Sequence, residues 1–246
     1  MMNGCSILAI IPARGGSKGV PMKNIRMFHG QPLLAWTIQA AQGCREIDRL
    51  LLSSDDERIM EVARHYGCDV PFARPRDLAT DTATSLDVAR HVLDHLEKKY
   101  DILLWLQPTS PLRTSEHIRA ALEVVAQGRH SSCVSVCRSA KPPEWMFRLQ
   151  DDHTLIRVVP QAQEAGNRQA ISPAYVLNGA IYACSIPWLL QGKSFTDSHT
   201  IALVMEDRHS IDIDTEQDFQ LGEWWMRHNL HLVVPDRDQE CLRFRP

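Results

Sequence analysis

Ser6-Ile7-Leu8-Ala9-Ile10-Ile11-Pro12-Ala13-Arg14-Gly15-Gly16-Ser17-Lys18-Gly19-Val20-Pro21-Met22-Lys23-Asn24 decides the fold of this chain. Its first part, Ser6 to Ile11, is a short continuous apolar run, the mark of a strand buried on both faces of a parallel sheet. Its second part is a Gly-rich loop with three cations, Arg14, Lys18 and Lys23, and Asn24 at its end. The adjacent Gly15 and Gly16 permit positive φ, which turns backbone N–H groups outward as a nest for phosphate oxygens. A triphosphate is highly charged, and charge-assisted contacts are about twice as strong as neutral ones, so the cations add what neutral amides lack. Such a loop at the end of a buried strand lies where open α/β sheets bind ligands, beyond the carboxyl ends of the strands. Composition alone fits a solvated basic turn equally well; the flanking strand favours a polyphosphate site. The spacing matches neither G-x-G-x-x-G nor G-x-x-x-x-G-K-[ST], which excludes the dinucleotide fingerprint and the Walker A loop.

Outward from this stretch, strands and helices alternate. Leu33 to Gly43 reads as a helix stopped at glycine, and Arg49 to Ser53 as the next strand. Ser54 reads as the cap of a helix from Asp55 to His65, with Glu57 completing a capping box and Gly67 marking the stop. Asp69 to Phe72 reads as a short strand, Ser85 to Lys98 as a helix, Asp101 to Leu106 as a buried strand, and Ser115 to Gln127 as a helix capped by Thr114. The alternation predicts an α/β fold, a mostly parallel sheet flanked by helices with right-handed crossovers. After about residue 138 turn signals and short strands replace it until a last helix from Thr215 to Arg227. We divide the chain into a nucleotide-binding α/β core (1–138), a β-rich excursion (139–200), a return to the core (201–228) and a polar tail (229–246) expected to be poorly ordered. The excursion, with Trp145 and Phe147 read as exposed, suits a dimer arm or a lid.

The 246 residues suffice for a sizeable core in one principal domain. Net charge is −3, with both signs interspersed and no basic stripe, which argues against nucleic acid as a partner. The apolar runs fall well short of the roughly 20 residues a bilayer span needs, and the N-terminus lacks a signal pattern, so a soluble cytoplasmic protein is expected. The seven cysteines are odd in number and form no C-x-x-C pair, as suits free thiols. Cys133 and Cys137 read as core, and His91 and His95, four apart on a helix, as ordinary helix surface rather than metal ligands.

Ser210-Ile211-Asp212-Ile213-Asp214-Thr215 is the second informative site. In an extended chain Asp212 and Asp214 face one side while Ile211 and Ile213 face the core. Two carboxylates about 7 Å apart can converge on one hard cation, and magnesium prefers one or two carboxylates with waters and phosphate oxygens. The competing reading is that Asp214 and Thr215 only cap the next helix. Gln107 ends a buried strand before the stiff turn Pro108-Thr109-Ser110-Pro111, placed to give a donor and an acceptor to a polar ligand. The hydroxyl-rich loop Asp81 to Ser85 sits at a helix start, where capping explains much of it.

Five segments in order, IPARGGSKGVPMKN, RPRDLATDTATS, LLQPTSPLR, LNGAIY and SIDIDTEQD, resemble the CMP-N-acylneuraminate synthetases, cytidylyltransferases that activate sialic and related nonulosonic acids. The match runs from about Ile7 to Leu221. The resemblance implies a Rossmann-like nucleotidyltransferase fold, a homodimer built through the β-rich arm, CTP as donor and Mg2+ as cofactor. It places Arg14, Ser17, Lys18 and Lys23 on the triphosphate, Asn24 at the ribose or base, and Arg74 and Ser85 on the cytidine, beside Gly15 and Gly16 of the loop. Gln107, Asn178 and Tyr182 would line the sugar pocket, with Arg168 and Phe195 near it across the dimer. Asp212 and Asp214 would bind the metal and, with Lys18 and Lys23, carry catalysis. Val176, where some members carry arginine, and Lys141-Pro142-Pro143, where some carry His-His-Pro, fall near the acceptor pocket and point to a relative of sialic acid such as legionaminic acid. The competing readings are an enzyme for another sugar acid such as Kdo, and a non-catalytic nucleotide-binding subunit.

Overall fold

The apolar run that opens the chain is buried from end to end, with Ile7 to Ile11 all 0% exposed. The structure, a computed structural model, describes residues 1–16, 19–160, 172–192 and 194–229. Its elements are β1 (Ile7–Pro12), the hairpin β2 (Met27–Phe28) and β3 (Gln31–Pro32), α1 (Leu33–Gln42), β4 (Arg49–Ser53), α2 (Glu57–His65), α3 (Ser85–Asp94), β5 (Ile102–Trp105) and α4 (Ser115–Ala126). They continue with β6 (Ser132–Arg138), the hairpin β7 (Phe147–Leu149) and β8 (Leu155–Arg157), β9 (Tyr175–Ser185), α5 (Ile186–Leu190), β10 (Ile201–Val204) and α6 (Glu216–Asn229). Six strands form one sheet in the order β10-β6-β9-β5-β1-β4. Every pairing is parallel except those of β9, which runs antiparallel to both β5 and β6. The expected mostly parallel sheet is therefore present.

Strand alternation distributes β1 between two layers. Ile7, Ala9 and Ile11 meet Leu34 and Ile38 of α1, Ile59 and Ala63 of α2, and Ile118 and Leu122 of α4. Leu8 and Ile10 meet Val88 and Val92 of α3 and Leu189 of α5 on the other face. Each fully buried aliphatic side chain contributes about 1.5–3 kcal/mol, so β1 anchors both layers. A third cluster joins Phe28, Leu33 and Trp36 to Ile213, Phe219 and Met226, which fastens α6 and the segment before it to the end of the loop after β1.

Several local expectations need correction. The cap of α2 is Asp56, whose carboxylate accepts from the Arg58 N–H, and not Ser54. Ser54 is fully buried and instead accepts from the Asp56 N–H at 3.2 Å. Asp69 to Phe72 yields a single bridge, Asp69 to Leu51; Pro71 two residues on has no N–H to continue a ladder. Helix α3 stops at Asp94, short of Lys98. Residues 139–200 do not leave the sheet as a block. The hairpin β7–β8 forms its own two-stranded sheet, whereas β9 lies in the middle of the main one. That strand is hard to read because it is interrupted: Val134 pairs with Tyr182 and Val136 with Leu177, so Asn178, Gly179, Ala180 and Ile181 stand opposite Ser135 alone. The tail lies outside the described residues, apart from its first residue, Asn229, which ends α6.

The six described cysteines are all free. Burial pushes the thiols of Cys44, Cys68 and Cys184 up to about 12 and that of Cys133 to about 11, as suits packing rather than nucleophilic residues. Arg113 is buried among neutral partners, donating to the carbonyls of Gln107 and Ala180 and to Thr37 Oγ1. It thereby ties the turn after β5 to β9 and α1. His91 and His95 stack at 4.3 Å, and Phe72 packs on both rings.

His117 closes the capping box of α4 through Nδ1, which accepts from the Thr114 N–H at 3.2 Å. Burial first, then the ring of His209 4.9 Å away, push its pKa down to about 4; Arg113 adds to this, while Glu116 and Glu206 oppose it. A depressed histidine value gives stability that is full above the unfolded pKa of about 6.5 and is lost as pH falls toward the folded value. His117→Gln keeps the reach-back acceptor without titrating. The variant is expected to lose less stability than the parent between pH 6.5 and 4, as measured by urea unfolding across that range.

Candidate active site

A cleft of about 500 Å3 opens beyond the carboxyl ends of β1 and β5. The loop after β1 supplies Arg14, Gly19, Lys23 and Asn24, the loop and helix around α3 supply Arg74, Leu78 and Ser85, and Gln107 closes the far end. A second hollow of about 460 Å3 adjoins it, and the two share Thr84, Ser85, Trp105 and Gln107. Tyr182, Phe195 and Leu177 line the second half.

The cations of the first half are held by specific partners. Lys23 is 8% exposed, and its Nζ donates to the Ile213 carbonyl and to Asp214 Oδ1 at 3.0 Å. The loop is thus joined to a segment far along the chain. Arg14 pairs with Asp81 at 2.8 Å. Arg74 donates to Ser53 Oγ at 3.1 Å and to the Ser53 carbonyl; burial pushes its pKa down to about 10, still cationic at neutral pH, against the pull of Asp55. Asn24 donates through Nδ2 to the Arg14 carbonyl at 3.0 Å, and its buried Oδ1 has no hydrogen-bond partner among the described residues. A buried unpaired acceptor is costly, so this oxygen suits a hydroxyl or amine donor from a ligand.

The loop glycines work differently from the nest expected of them. Neither Gly15 nor Gly16 has positive φ. The Gly15 N–H donates to Asp55 Oδ1 at 3.0 Å, and a Cβ there would meet Asp56 Oδ2 at 2.8 Å. Neither residue lines the cleft. Close approach, not a left-handed turn, requires glycine at 15, and the same holds at Gly19, where any Cβ would collide with the Asp214 carbonyl. Ser17 and Lys18 lie outside the described residues, as does Arg168.

Asp212 and Asp214 differ more than strict alternation suggests, since residues 211–214 form no strand. Asp214 is exposed at the rim of the cleft, and the capping of α6 is done by Thr215 with Asp218, so its carboxylate is spared. Asp212 is largely buried; burial, then the charge of Asp214, raise its pKa above the usual carboxylate range. Its Oδ1 is buried without a hydrogen-bond partner. Its Oδ2 and Gln107 Oε1 converge at Gly179, at 3.0 and 3.2 Å from where a Cβ would stand, and Gly179 has φ +74°. Asp212 also raises the Tyr182 phenol, after burial, which places it within electrostatic reach of the second half. Two carboxylates, one with an orphaned buried oxygen, fit a hard divalent cation that completes its shell from water and phosphate. Among the described residues no group of three or more His, Cys, Asp or Glu is placed to hold a metal.

Asn178 does not line either half. It is 3% exposed and donates to Ser210 Oγ at 2.9 Å, an internal link rather than a pocket wall. The motif N-G-A-I-Y carries the resemblance, but the asparagine side chain turns inward at the interruption of β9 while Tyr182 faces the hollow.

Comparison with known proteins agrees with this arrangement. A family model described as cytidylyltransferase matches residues 8–172. The chain is 39% identical over 236 residues to the CMP-N,N'-diacetyllegionaminic acid synthase of Legionella pneumophila, covering 93% of this chain and 99% of that protein. The chain belongs to the cytidylyltransferase family. This cytidylyltransferase is also 38% identical over 217 residues to the N-acylneuraminate cytidylyltransferase of Escherichia coli, covering 88% of this chain and 51% of that longer protein. Its fold matches a solved CMP:2-keto-3-deoxy-manno-octonic acid synthetase complexed with CTP, with a TM-score of 0.69 and 15% identity over 91% of this chain and 99% of that one. The expected Rossmann-like nucleotidyltransferase fold and enzyme class therefore hold.

Sequence reasoning missed Gly19 and Trp105, which line the cleft, and Gly179, which stands beside Asp212 and Gln107. Gly19 was visible as the third glycine of the loop and Gly179 as the glycine of LNGAIY, but what each accommodates is tertiary. Gly19→Ala is expected to displace either the loop or the Asp214 backbone and to lower turnover by about 10-fold or more, since small misplacements at reacting centres are costly. Steady-state assay beside a thermal melt checks this; turnover equal to the parent would remove the close contact from the account.

Proposed function

We propose that this cytidylyltransferase joins CMP from CTP to the anomeric 2-hydroxyl of a nine-carbon nonulosonic acid, an N-acylneuraminate or legionaminate, with release of pyrophosphate. The observation that carries the reading is the shared wall of the two hollows. A cationic half and an aromatic half meet at Gln107, and Asp212 Oδ2 lies with Gln107 Oε1 beside Gly179. The names of the relatives from L. pneumophila and E. coli support the choice of acceptor class.

In this reading Arg14 and Lys23 face the triphosphate and neutralise charge that builds on the departing pyrophosphate. Asn24 Oδ1 accepts from the nucleoside, and Arg74 holds the base end through Ser53. The acid lies against Tyr182 and Phe195, and Gln107 orients it for in-line attack of its 2-hydroxyl oxygen on the α-phosphorus. The new P–O bond forms as the bond to the β-phosphate bridging oxygen breaks. The hydroxyl proton passes to a carboxylate at this junction. Mg2+ held by Asp212 and Asp214 would supply charge neutralisation at the phosphates. Lys23, already paired with Asp214, keeps that carboxylate oriented.

We also place a homodimer and a cytoplasmic site of action in this reading. Phe147 and Leu149 of β7, Leu155 of β8 and Tyr175 and Val176 of β9 are exposed apolar side chains. Leu177, next along β9, is also exposed and lines the acceptor half. Exposed apolar side chains on this arm suit burial against a second copy of the chain. Among the described residues no helix is long and apolar enough to cross a membrane.

Pyrophosphate release from CTP, assayed with N-acetylneuraminate, N,N'-diacetyllegionaminate and Kdo, is expected for one or both nonulosonic acids and to stop on chelation of divalent ions. Tight CTP binding without turnover on any acid overturns the reading. Leu155→Glu is expected to give a folded monomer by light scattering at a concentration where the parent is a dimer; a monomeric parent refutes the dimer.

A further inference from the structure

Asp212 rides on a segment with no ladder of its own: residues 206–214 pass from a 3-10 turn at Asp207–His209 to the start of α6 without strand pairing. One backbone bond pins its far side, Ile213 N–H to the Thr109 carbonyl at 2.9 Å. Its near side depends on side chains. Asn178 Nδ2 donates to Ser210 Oγ at 2.9 Å, and Ser210 Oγ donates to the Glu206 carbonyl at 2.8 Å. Asn178 is in turn oriented by Ser135, whose hydroxyl donates to Asn178 Oδ1 at 2.6 Å and accepts from the Ile181 N–H at 2.7 Å. The Ala180 N–H donates to the same Oδ1 at 3.2 Å. Ser135 is 1% exposed and stands alone opposite the four residues at the interruption of β9.

We propose that Ser135 is a positioning residue for the transfer reaction. One hydroxyl replaces the backbone ladder missing between β6 and β9 and makes Asn178 Oδ1 the acceptor, so that Nδ2 must face Ser210. The chain Ser135–Asn178–Ser210 then holds the 206–214 segment where Asp212 Oδ2 and Gln107 Oε1 both lie beside Gly179. Ser135 touches no cleft; it acts through Asn178, which accounts for why that asparagine is buried. The inference rests on the reading of the cleft as a cytidylyl-transfer centre.

Ser135→Ala, Ser210→Ala and the double variant, each as the full chain, test it. Each single variant is expected to lower kcat by about 10-fold or more, in the range typical of lost outer-shell partners, with the KM for CTP changed by no more than about 2-fold. Amide hydrogen exchange is expected to quicken in residues 206–214 while β1 and β5 keep their protection. Because both hydroxyls serve one chain of contacts, the double variant should cost no more than the worse single one. Wild-type kcat and exchange in Ser135→Ala, or losses that multiply in the double variant, overturn the proposal. If Ser135→Ala does not fold, Ser210→Ala, at the far end of the chain and outside the sheet, carries the same expectations and the same refutation. A parent chain that turns over no acid overturns the cytidylyl-transfer reading instead, and exchange in 206–214 still decides the positioning role.

Discussion

One ammonium group stands at the junction of the two halves of the polypeptide. Lys23 follows the first strand, yet its Nζ is held by the backbone of Ile213 and the carboxylate of Asp214, 190 residues away. A largely buried ammonium group is costly unless it is paired and hydrogen-bonded, and here both partners come from the segment that leads into α6. The apolar cluster around Phe28, Ile213 and Phe219 surrounds the same junction. Gly19 then lets the loop lie directly on the Asp214 carbonyl. Loop, segment and last helix thus form one unit, so groups that neutralise phosphate and groups that can bind metal keep a fixed relation to each other.

The second constraint is the broken strand β9. A regular strand would run smoothly between β5 and β6 and leave no room at its centre. Its interruption buries Asn178, gives Gly179 a left-handed conformation, and turns Tyr182 toward the acceptor half. Arg113 and Ser135 stabilise the irregularity from opposite sides, one through the Ala180 carbonyl and the other through Ile181 and Asn178. Both use buried polar groups whose hydrogen bonds would otherwise be missing.

Much of this was legible from local pattern. The buried parallel strand, the caps of α3 and α4, and the loop at the strand's carboxyl end follow from apolar runs, hydroxyls and glycines over a few residues. The strand β9 was not, because Asn178-Gly179 breaks its alternation and its neighbours in the sheet are distant in sequence. The site residues divide the same way. Arg14, Lys23, Asn24, Gln107 and Asp214 line one half of the cleft and Tyr182 the other. Gly15 reads as a left-handed turn but requires room against Asp56, and Asn178 reads as a pocket wall but its bonds point inward. In both cases composition identified the residue, and only its partner, Asp55 and Asp56 in one case and Ser135 and Ser210 in the other, fixed the role.

The place of β9 in the sheet has a bearing on how the chain acquires its fold. Strands β5 and β6 are adjacent in sequence but do not touch; residues 175–185 fill the slot between them. While the chain emerges from the ribosome, everything through β6 is made before the strand that unites it. Until then β5 and β6 present unpaired edges of apolar residues, the kind of surface that invites association with other chains. The final pairings span long separations, Leu103 to Cys184 among them, and such contacts form slowly. The acceptor half, built in part from β9 and the turn after α5, therefore takes shape only once β9 fills its slot, with β10 and the segment that carries Asp212 still to follow in the chain.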